Sequence, residues 1–253
     1  MAYDKQKVID IALSEVGYLE KETNSNLDSK TANAGDENYT KYARDLAKYP
    51  FYNGRKYGVA WCDVFVDWCF VQAYGKDAAL ALTCQPTKPA NNAGAGCRYS
   101  RDYYKSKGRL FDSPQPGDQV FFYSSDKSQI QHTGLVYAVD SKKVYTVEGN
   151  TSGASGVISN GGGVCKKSYS LSYARLAGFG RPDYGVQTVQ AEQVQAPKTN
   201  TSYTTYTVKK GDSLWKIAKK LMGSGNKFTQ IQKANGLAGS LIKVGQKLKI
   251  PKG

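Results

Sequence analysis

Histidine is nearly absent from this chain, which has one copy, His132, among 253 residues. The five cysteines include no CxxC pair. Structural zinc sites need such pairs or several histidines, so a structural zinc site is not expected. The odd cysteine count leaves at least one thiol unpaired if disulfides form. Cys84 and Cys97 could pair across a loop, but without a secretory leader free thiols are the better expectation.

Long apolar runs are also missing, so no transmembrane helix is predicted. The first seven residues are polar and lead into an amphipathic segment, without the apolar core of a signal peptide. The sequence therefore predicts a soluble protein made in the cytoplasm without a signal peptide. If a leader was removed, the protein would be secreted.

Acidic residues are scarce in the last fifty positions. Residues 203–253 carry 11 Lys and 1 Asp, whereas residues 1–202 carry 24 Lys or Arg and 20 Asp or Glu. A strongly basic module thus follows a segment in which positive and negative charges nearly cancel. Such a module is attracted to polyanions: nucleic acid, an acidic membrane or an anionic cell wall.

Helical periodicity dominates the first third of the chain, and short strands follow it. Helices are predicted at 4–20, 36–49 and 62–73, a loop at 83–100, and strands at 119–124, 133–139, 143–148 and near 177–181. Helices followed by a meander of strands indicate an α+β domain. We predict domain 1 at 1–184, a linker at 185–204 and a small strand–helix–helix–strand unit at 205–253.

Cys62 lies at the predicted start of the third helix. A thiol there meets the positive end of the helix dipole, which favours the nucleophilic thiolate. Taken alone, however, a cysteine on an apolar helix is more often a small core residue. Cys69, seven positions later, is interpreted as core.

His132 and the turn Glu148-Gly149-Asn150 favour a catalytic role for Cys62 over a role in the core. A cysteine, a histidine and a polar acceptor on successive elements are the parts of a thiol hydrolase. His132 would take the thiol proton and later donate it to the leaving amine. Glu148 or Asn150 would hold the imidazole, and the Cys62 backbone N–H would stabilise an oxyanion.

Four features together resemble a CHAP domain, a papain-like thiol hydrolase of peptidoglycan. They are Trp61-Cys62 opening a helix, the Pro-Gly-Asp turn at 116–118, His132-Thr133-Gly134 and Glu148-Gly149-Asn150. The resemblance implies N-terminal helices packed on an antiparallel sheet. It also implies that Cys62 is the nucleophile and His132 the base, that Glu148 orients the histidine and that Asn150 supports the site.

Two positions depart from the family pattern. Asp63 follows the cysteine where many relatives have a small residue, and it could contact a substrate cation or cap its own helix. Some relatives bind calcium in an acidic loop before the cysteine, but residues 50–61 contain no acidic residue. Asp36, Glu37 and Asn38 could supply oxygen ligands, although Asp36 is equally a candidate helix N-cap. We predict no cofactor, with calcium as the alternative.

The basic unit resembles a LysM domain, with matching segments at 206–218, 235–237 and 242–251. LysM domains bind N-acetylglucosamine-containing glycans such as peptidoglycan and chitin in a shallow groove. Leu214 is equally a candidate for the small core of the unit. The resemblance predicts that the glycan contacts come from Gly211, Asp212, Ser213, Leu214, Gly236, Leu237 and Ile242.

Together these features predict a peptidoglycan hydrolase, with an N-acetylmuramoyl-L-alanine amidase favoured and an endopeptidase as the alternative. A lytic domain beside a wall-binding module resembles a phage endolysin, an antimicrobial wall-lysing enzyme; a host autolysin without its leader would look the same. The alternative of another class is a wall-binding adaptor with an inactive hydrolase domain. The expected partners are peptidoglycan and, by charge, anionic wall polymers. We expect no specific nucleic acid partner and a monomer.

Overall fold

The computed structural model describes residues 2–90, 92–185, 203–209, 211–223, 227–235, 237 and 242–251. The chain divides into two compact units, Met1–Thr188 and Val189–Gly253. Most of the predicted linker lies outside the described residues. Its last two positions, 203 and 204, belong to a strand.

Within residues 2–90 and 92–185, the first unit has five helices followed by a six-stranded sheet, which confirms the predicted α+β class. The sheet is antiparallel throughout, with the strand order β1-β6-β2-β3-β4-β5. The elements are α1 (Lys5–Ser14), α2 (Lys41–Leu46), α3 (Cys62–Tyr74), α4 (Lys76–Leu82), α5 (Cys97–Ser106), β1 (Leu110–Phe111), β2 (Gln119–Tyr123), β3 (Ile130–Val139), β4 (Lys143–Thr151), β5 (Gly163–Ser170) and β6 (Leu176–Gly180).

Helix α3 is the centre of this unit. It packs against α1, α2, α4 and α5 on the helical side and against β3 and β4 of the sheet. Every residue from Cys62 to Val71 is buried, so the predicted stripe of Val64, Phe65, Trp68 and Cys69 is only part of its buried surface. The helix ends at Gly75, whose φ of 78° allows the chain to turn.

Several predicted boundaries were wrong for local reasons. Helix α1 ends at Ser14, and Gly17 then turns the chain with a φ of 89°. Helix α2 begins only at Lys41, because Thr40 is its N-cap and accepts a hydrogen bond from the Ala43 N–H at 3.2 Å. Asp36 therefore does not cap this helix. Helices α4 and α5 and strands β1 and β5 were not predicted.

The second unit is the predicted βααβ fold. Its elements are β7 (Tyr203–Thr207), α6 (Leu214–Met222), α7 (Phe228–Ala234) and β8 (Lys247–Pro251), with β7 and β8 antiparallel. Ser213 caps α6 by accepting a hydrogen bond from the Lys216 N–H at 3.3 Å. The small core contains Val208, Leu214, Ile217, Ala218, Ile231, Leu248 and Ile250. Among the residues described in either unit, no helix is long and apolar enough to cross a bilayer.

Candidate active site

Cys62 is the first residue of α3, and its side chain is almost covered, with 5% exposure. The preceding Trp61 is held in the core, where its indole Nε1–H donates to Glu20 Oε2 at 2.6 Å. No side chain caps the helix start. The first-turn N–H groups therefore remain available near the sulfur, together with the positive end of the helix dipole.

His132 is the third residue of β3 and is fully buried. Its Nε2 lies 2.9 Å from Glu148 Oε2 on the neighbouring strand β4. Gly134 makes room for that carboxyl group, since a Cβ there would lie 2.4 Å from Glu148 Cγ. Glu148 also accepts hydrogen bonds from the Thr146 and Tyr169 hydroxyls, at 2.5 Å and 3.1 Å. Three donors therefore fix the carboxylate behind the imidazole.

The second ring nitrogen of His132, Nδ1, has no hydrogen-bond partner among the described residues. Cys62 lies near enough to the ring to raise the pKa of His132. The structure thus brings together three of the predicted residues in the order Cys62, His132, Glu148. In this arrangement Nε2–H donates to the carboxylate, which leaves Nδ1 as the ring nitrogen without its proton when the imidazole is neutral.

The protonation of the pair follows from these contacts. The Cys97 thiol, the His132 ring and the Thr133 N–H hold the pKa of Cys62 well below its usual range, against the opposing effect of burial. Burial alone would lower the pKa of His132, but the hydrogen bonds and charges of Cys62 and Glu148 outweigh it and raise this pKa to about 9. A thiolate–imidazolium pair is therefore the stable form at neutral pH.

Asn150 lies on β4 at an irregularity in the pairing with β5, and its φ is 52°. Its side chain is fully buried, and neither amide atom has a hydrogen-bond partner among the described residues. His132 bonds Glu148 and not Asn150. The orienting acceptor that the sequence left open between these two residues is thus Glu148 in the structure.

Asp63 has neither of the two roles that the sequence suggested, contact with a substrate cation or capping of its own helix. It is 1% exposed, so contact with a substrate cation at the surface is excluded, and it makes no capping bond to its own helix. Its carboxylate instead accepts hydrogen bonds from Ser100 Oγ at 2.8 Å and Gln119 Nε2 at 2.9 Å. Burial and the neighbouring Cys62 charge raise its pKa to about 7.

Sequence reasoning missed two groups beside the site, Cys97 and Tyr169. Cys97 was considered as a disulfide partner of Cys84, but all five cysteines are free, and the Cys97 thiol lowers the pKa of Cys62. Tyr169 lies on β5, where the half-buried Cys165 and the buried Lys167 obscure the alternation of a strand. The available signal was the short alternation Ser168-Tyr169-Ser170, since the burial of Lys167 is evident only from the structure.

One group of acidic side chains offers oxygen ligands. Carboxylate oxygens of Glu22, Asp36 and Glu37 lie within 4.8 Å of one another, and all three residues are exposed. Hard oxygen donors of this kind suit calcium, so Asp36 and Glu37 fit the calcium alternative and Glu22 was missed. These residues would hold the ion at the surface of the loop before α2. None of them belongs to the Cys62 site.

The predicted glycan-contact residues of the second unit fall into different environments. Gly211 is exposed, with a φ of 87°. Asp212 accepts hydrogen bonds from the Tyr206 hydroxyl and the Lys209 N–H, both at 2.8 Å. Leu214 is 1% exposed and lies in the core of the second unit, the alternative that the sequence left open for it.

The remaining predicted glycan-contact residues also lie in different environments. Ser213 is half-buried, and its hydroxyl already caps α6. Leu237 and Ile242 are half-buried and pack against the core of the second unit. Gly236 lies outside the described residues.

These two folds and sites correspond to known domain families. Residues 52–150 match the CHAP domain family, and residues 206–251 match the LysM domain family. The chain therefore contains a CHAP domain followed by a LysM domain. The CHAP match includes Cys62, His132, Glu148 and Asn150, whereas Tyr169 on β5 lies beyond it.

Individual relatives share limited parts of the chain. The chain is 52% identical over 46 residues to the probable peptidoglycan endopeptidase LytE of Bacillus subtilis (strain 168), which covers 18% of this chain and 13% of that protein. The crystal structure of Ly7917 is similar with a TM-score of 0.42 and 12% identity, covering 81% of this chain and 65% of that one. The crystal structure of Ly7917 with the hydrolyzing product of MDP gives 0.39 and 12%, covering 81% and 66%.

Proposed function

We propose that this protein is a peptidoglycan hydrolase that cleaves an amide bond with Cys62 as the nucleophile. The observation that carries the proposal is the buried Cys62–His132–Glu148 arrangement inside a CHAP domain. The LysM domain supports the wall as the substrate. Such an enzyme acts on the bacterial cell wall, as a phage-type endolysin or a host autolysin.

The arrangement supplies each step of amide cleavage. The Cys62 thiolate attacks the carbonyl carbon, and the Cys62 backbone N–H at the start of α3 stabilises the oxyanion. Imidazolium His132 gives its proton to the leaving amine, which breaks the C–N bond and leaves a thioester on Cys62. Neutral His132 then takes a proton from water, which hydrolyses the thioester and restores the thiolate–imidazolium pair.

The LysM domain concentrates this chemistry on the wall. Its glycan groove would hold N-acetylglucosamine-containing strands at Gly211, Asp212, Ser213, Leu237 and Ile242. The lysine excess of residues 203–253 adds long-range, salt-sensitive attraction to anionic wall polymers. We propose a monomer with no specific nucleic acid partner.

Two amides of peptidoglycan fit this chemistry. The first candidate is the bond between N-acetylmuramic acid and L-alanine, which makes the protein an amidase. The second is a peptide bond in the stem or cross-bridge, which the name of the Bacillus subtilis relative favours. That relative is matched over 46 residues, so the choice between the two bonds rests on experiment.

Digestion of purified walls followed by mass spectrometry separates the two bonds. We expect new soluble fragments with free amino termini, and termini on L-alanine identify the amidase. Termini on a cross-bridge residue or within the stem identify the endopeptidase. A parallel digest with Cys62→Ala is the control for contaminating hydrolases. The absence of any new amino terminus would exclude both assignments.

The pH dependence of lysis provides a test of the His132 assignment. Because the pKa of His132 is raised to about 9, its proton is present at neutral pH and is lost as the pH rises through that value. We therefore expect initial lysis rates to fall on the alkaline side with a midpoint near 9. Wall binding by Cys62→Ala at each pH separates this effect from weaker binding. An alkaline midpoint near 6.5 would contradict the assignment.

A further inference from the structure

Asp63 is a buried carboxylate that directly follows the nucleophile in the sequence. Within the part of the chain that the structure describes, no lysine, arginine or histidine forms an ion pair with it. A buried carboxylate costs free energy unless hydrogen bonds compensate it, and its negative charge opposes ionisation of the neighbouring Cys62 thiol. Any contribution of Asp63 to the site therefore comes from the groups that it holds and not from its charge.

Gln119 links Asp63 to the strand that carries His132. Its side chain is fully buried on β2, and Nε2 donates to Asp63 Oδ1 at 2.9 Å and to Thr133 Oγ1 at 3.1 Å. Both hydrogens of the amide group are thereby used. Asp63 directly follows Cys62, and Thr133 directly follows His132. One amide group therefore joins the residue after the nucleophile to the residue after the base.

The sheet anchors this connection. Thr133 Oγ1 donates to the Val120 carbonyl oxygen at 2.7 Å, which fixes the hydroxyl of β3 on the neighbouring strand β2. Strand β2 is an inner strand, in which Gln119 is paired with Leu135 on one side and with Gly180 on the other. The donor in the middle of the connection is thus held by strands on both sides.

The second oxygen of the Asp63 carboxylate holds helix α5. Ser100 Oγ donates to Asp63 Oδ2 at 2.8 Å and accepts a hydrogen bond from Gln85 Nε2 at 2.9 Å. Both oxygens of Asp63 are thus occupied, and rotation of the carboxylate away from Gln119 would leave a buried donor without a partner. The start of α3, where Cys62 lies, is therefore fixed against α5 and against the sheet at the same time.

We propose that Asp63, Gln119 and Thr133 are positioning residues, a clamp that holds the start of α3 against β3 and so keeps the Cys62 sulfur beside the His132 imidazole. In this role the three residues exchange no proton with the substrate and act only through their two catalytic neighbours. The effect on rate is large, because a displacement of about 1 Å between reacting groups can cost about 100-fold. The proposal rests on the proposed function, since it concerns the same nucleophile and base.

Thr133 offers the first test, because its replacement alters no charge. Thr133→Val keeps the shape of the side chain and removes the hydroxyl that accepts from Gln119, whereas Thr133→Ser keeps that hydroxyl. In Thr133→Val we expect kcat for the release of amino termini from purified walls to fall roughly 10-fold to 100-fold. The wall concentration that gives the half-maximal rate should not change, because wall binding is untouched. Thr133→Ser should retain most of the wild-type kcat.

Thr83→Val is the matched control for this substitution. Thr83 is 1% exposed, and its hydroxyl donates to the Ala79 carbonyl oxygen at 2.8 Å, as the Thr133 hydroxyl donates to Val120. Thr83→Val therefore loses the same kind of buried bond without affecting the clamp. We expect lower thermal stability in both valine variants and an unchanged kcat in Thr83→Val alone.

The Asp63 end of the clamp provides a second comparison, which also covers failure of Thr133→Val to fold. Asp63→Asn and Asp63→Ala both remove the charge, but only asparagine keeps an oxygen toward Gln119 while its NH2 group donates to Ser100 Oγ. At pH 8, above the Asp63 pKa of about 7, we expect kcat of Asp63→Asn to stay close to that of the wild type. That of Asp63→Ala should fall roughly 10-fold to 100-fold. Equal rates in the two variants would mean that charge and not position matters.

Alkylation of Cys62 by iodoacetamide as a function of pH, read by peptide mass spectrometry in the full chain, requires no wall substrate. The nearby His132 lowers the pKa of Cys62, so a looser pair should raise the alkylation midpoint of Thr133→Val by about one unit, toward the ordinary thiol value of about 8.5. Thr133→Ser and Thr83→Val should keep the wild-type midpoint.

The two readouts separate failure of the clamp from failure of the proposed function. If wild-type protein digests walls and Thr133→Val matches Thr83→Val in kcat and midpoint, the function stands and the clamp is overturned. Equal rates of Asp63→Asn and Asp63→Ala would overturn it as well. If the midpoint rises in Thr133→Val but even the wild type releases no amino termini from walls, the clamp stands and the proposed function fails.

Discussion

Replacement of Cys62 by serine is expected to lower the rate of wall lysis by at least about 1,000-fold, since loss of the nucleophile disables the whole catalytic unit. A serine hydroxyl does not ionise near neutral pH. Cys97, His132 and the Thr133 N–H lower the pKa of Cys62 and so favour a thiolate, which this variant cannot form. The substitution removes no large group, so the core around α3 should stay intact.

The measurement combines turbidity loss of purified walls with sedimentation of the protein bound to them. Cys62→Ser should still sediment with the walls, because the LysM domain is unchanged. Cys84→Ser is the matched control, with lysis and binding both preserved. Unchanged lysis by Cys62→Ser would contradict the thiol mechanism. Binding of the wild-type protein to walls without any lysis would favour the other class of function, a wall-binding adaptor whose hydrolase domain is inactive.

Replacement of Glu148 by glutamine is expected to lower the lysis rate by about 100-fold to 10,000-fold, the range seen when the orienting carboxylate of a triad is neutralised. The Glu148 carboxylate accepts hydrogen bonds from His132, Thr146 and Tyr169. In glutamine one of the two oxygens becomes an NH2 group; facing His132 it opposes the Nε2–H donor, and facing Thr146 it requires that hydroxyl to accept instead of donate. In either orientation His132 loses the negative charge that stabilises imidazolium, and in the first it also loses the bond that fixes its tautomer.

The pH profile distinguishes this effect from simple disorder. Because Glu148 helps raise the pKa of His132, the alkaline limb of Glu148→Gln should move to lower pH than the wild-type limb near 9. Tyr169→Phe is the control, because it removes one donor to Glu148 and leaves the His132 bond, so its loss of rate should be much smaller. An alkaline limb that stays in place in Glu148→Gln would refute the role given to Glu148.

The helix around Cys62 illustrates how far local sequence patterns reach. Its start at Cys62 and its end near Gly75 were predicted from apolar spacing and a terminating glycine, and the structure confirms both. The α+β class and the βααβ unit were predicted correctly for the same reason, since hydrophobic periodicity and turn residues are local properties of the sequence. Helix α5 was missed because two of its three buried positions, Ser100 and Tyr104, carry hydroxyl groups and lack a clear apolar signature.

The roles of individual residues depend on burial and on contacts between distant segments, which the hydrophobic periodicity of a sequence does not report. Leu214 was left open between a glycan contact and the small core, and its burial follows from packing against other residues of the second unit. Asp63 was considered for substrate contact because an acidic residue is usually exposed. Its burial is possible only because Ser100 and Gln119, from elsewhere in the chain, supply the hydrogen bonds that a buried carboxyl needs.

The sequence by itself determined the two domains, the residue types of a thiol hydrolase and the position of Cys62 at a helix start. These properties are carried by short segments and by the presence of a single histidine. The tertiary structure decided that Glu148 and not Asn150 hydrogen-bonds the His132 imidazole, and that Cys97 lies near enough to Cys62 to lower its pKa. Hydrogen bonds between distant segments act over a few ångströms, so only the packed fold determines which polar groups meet.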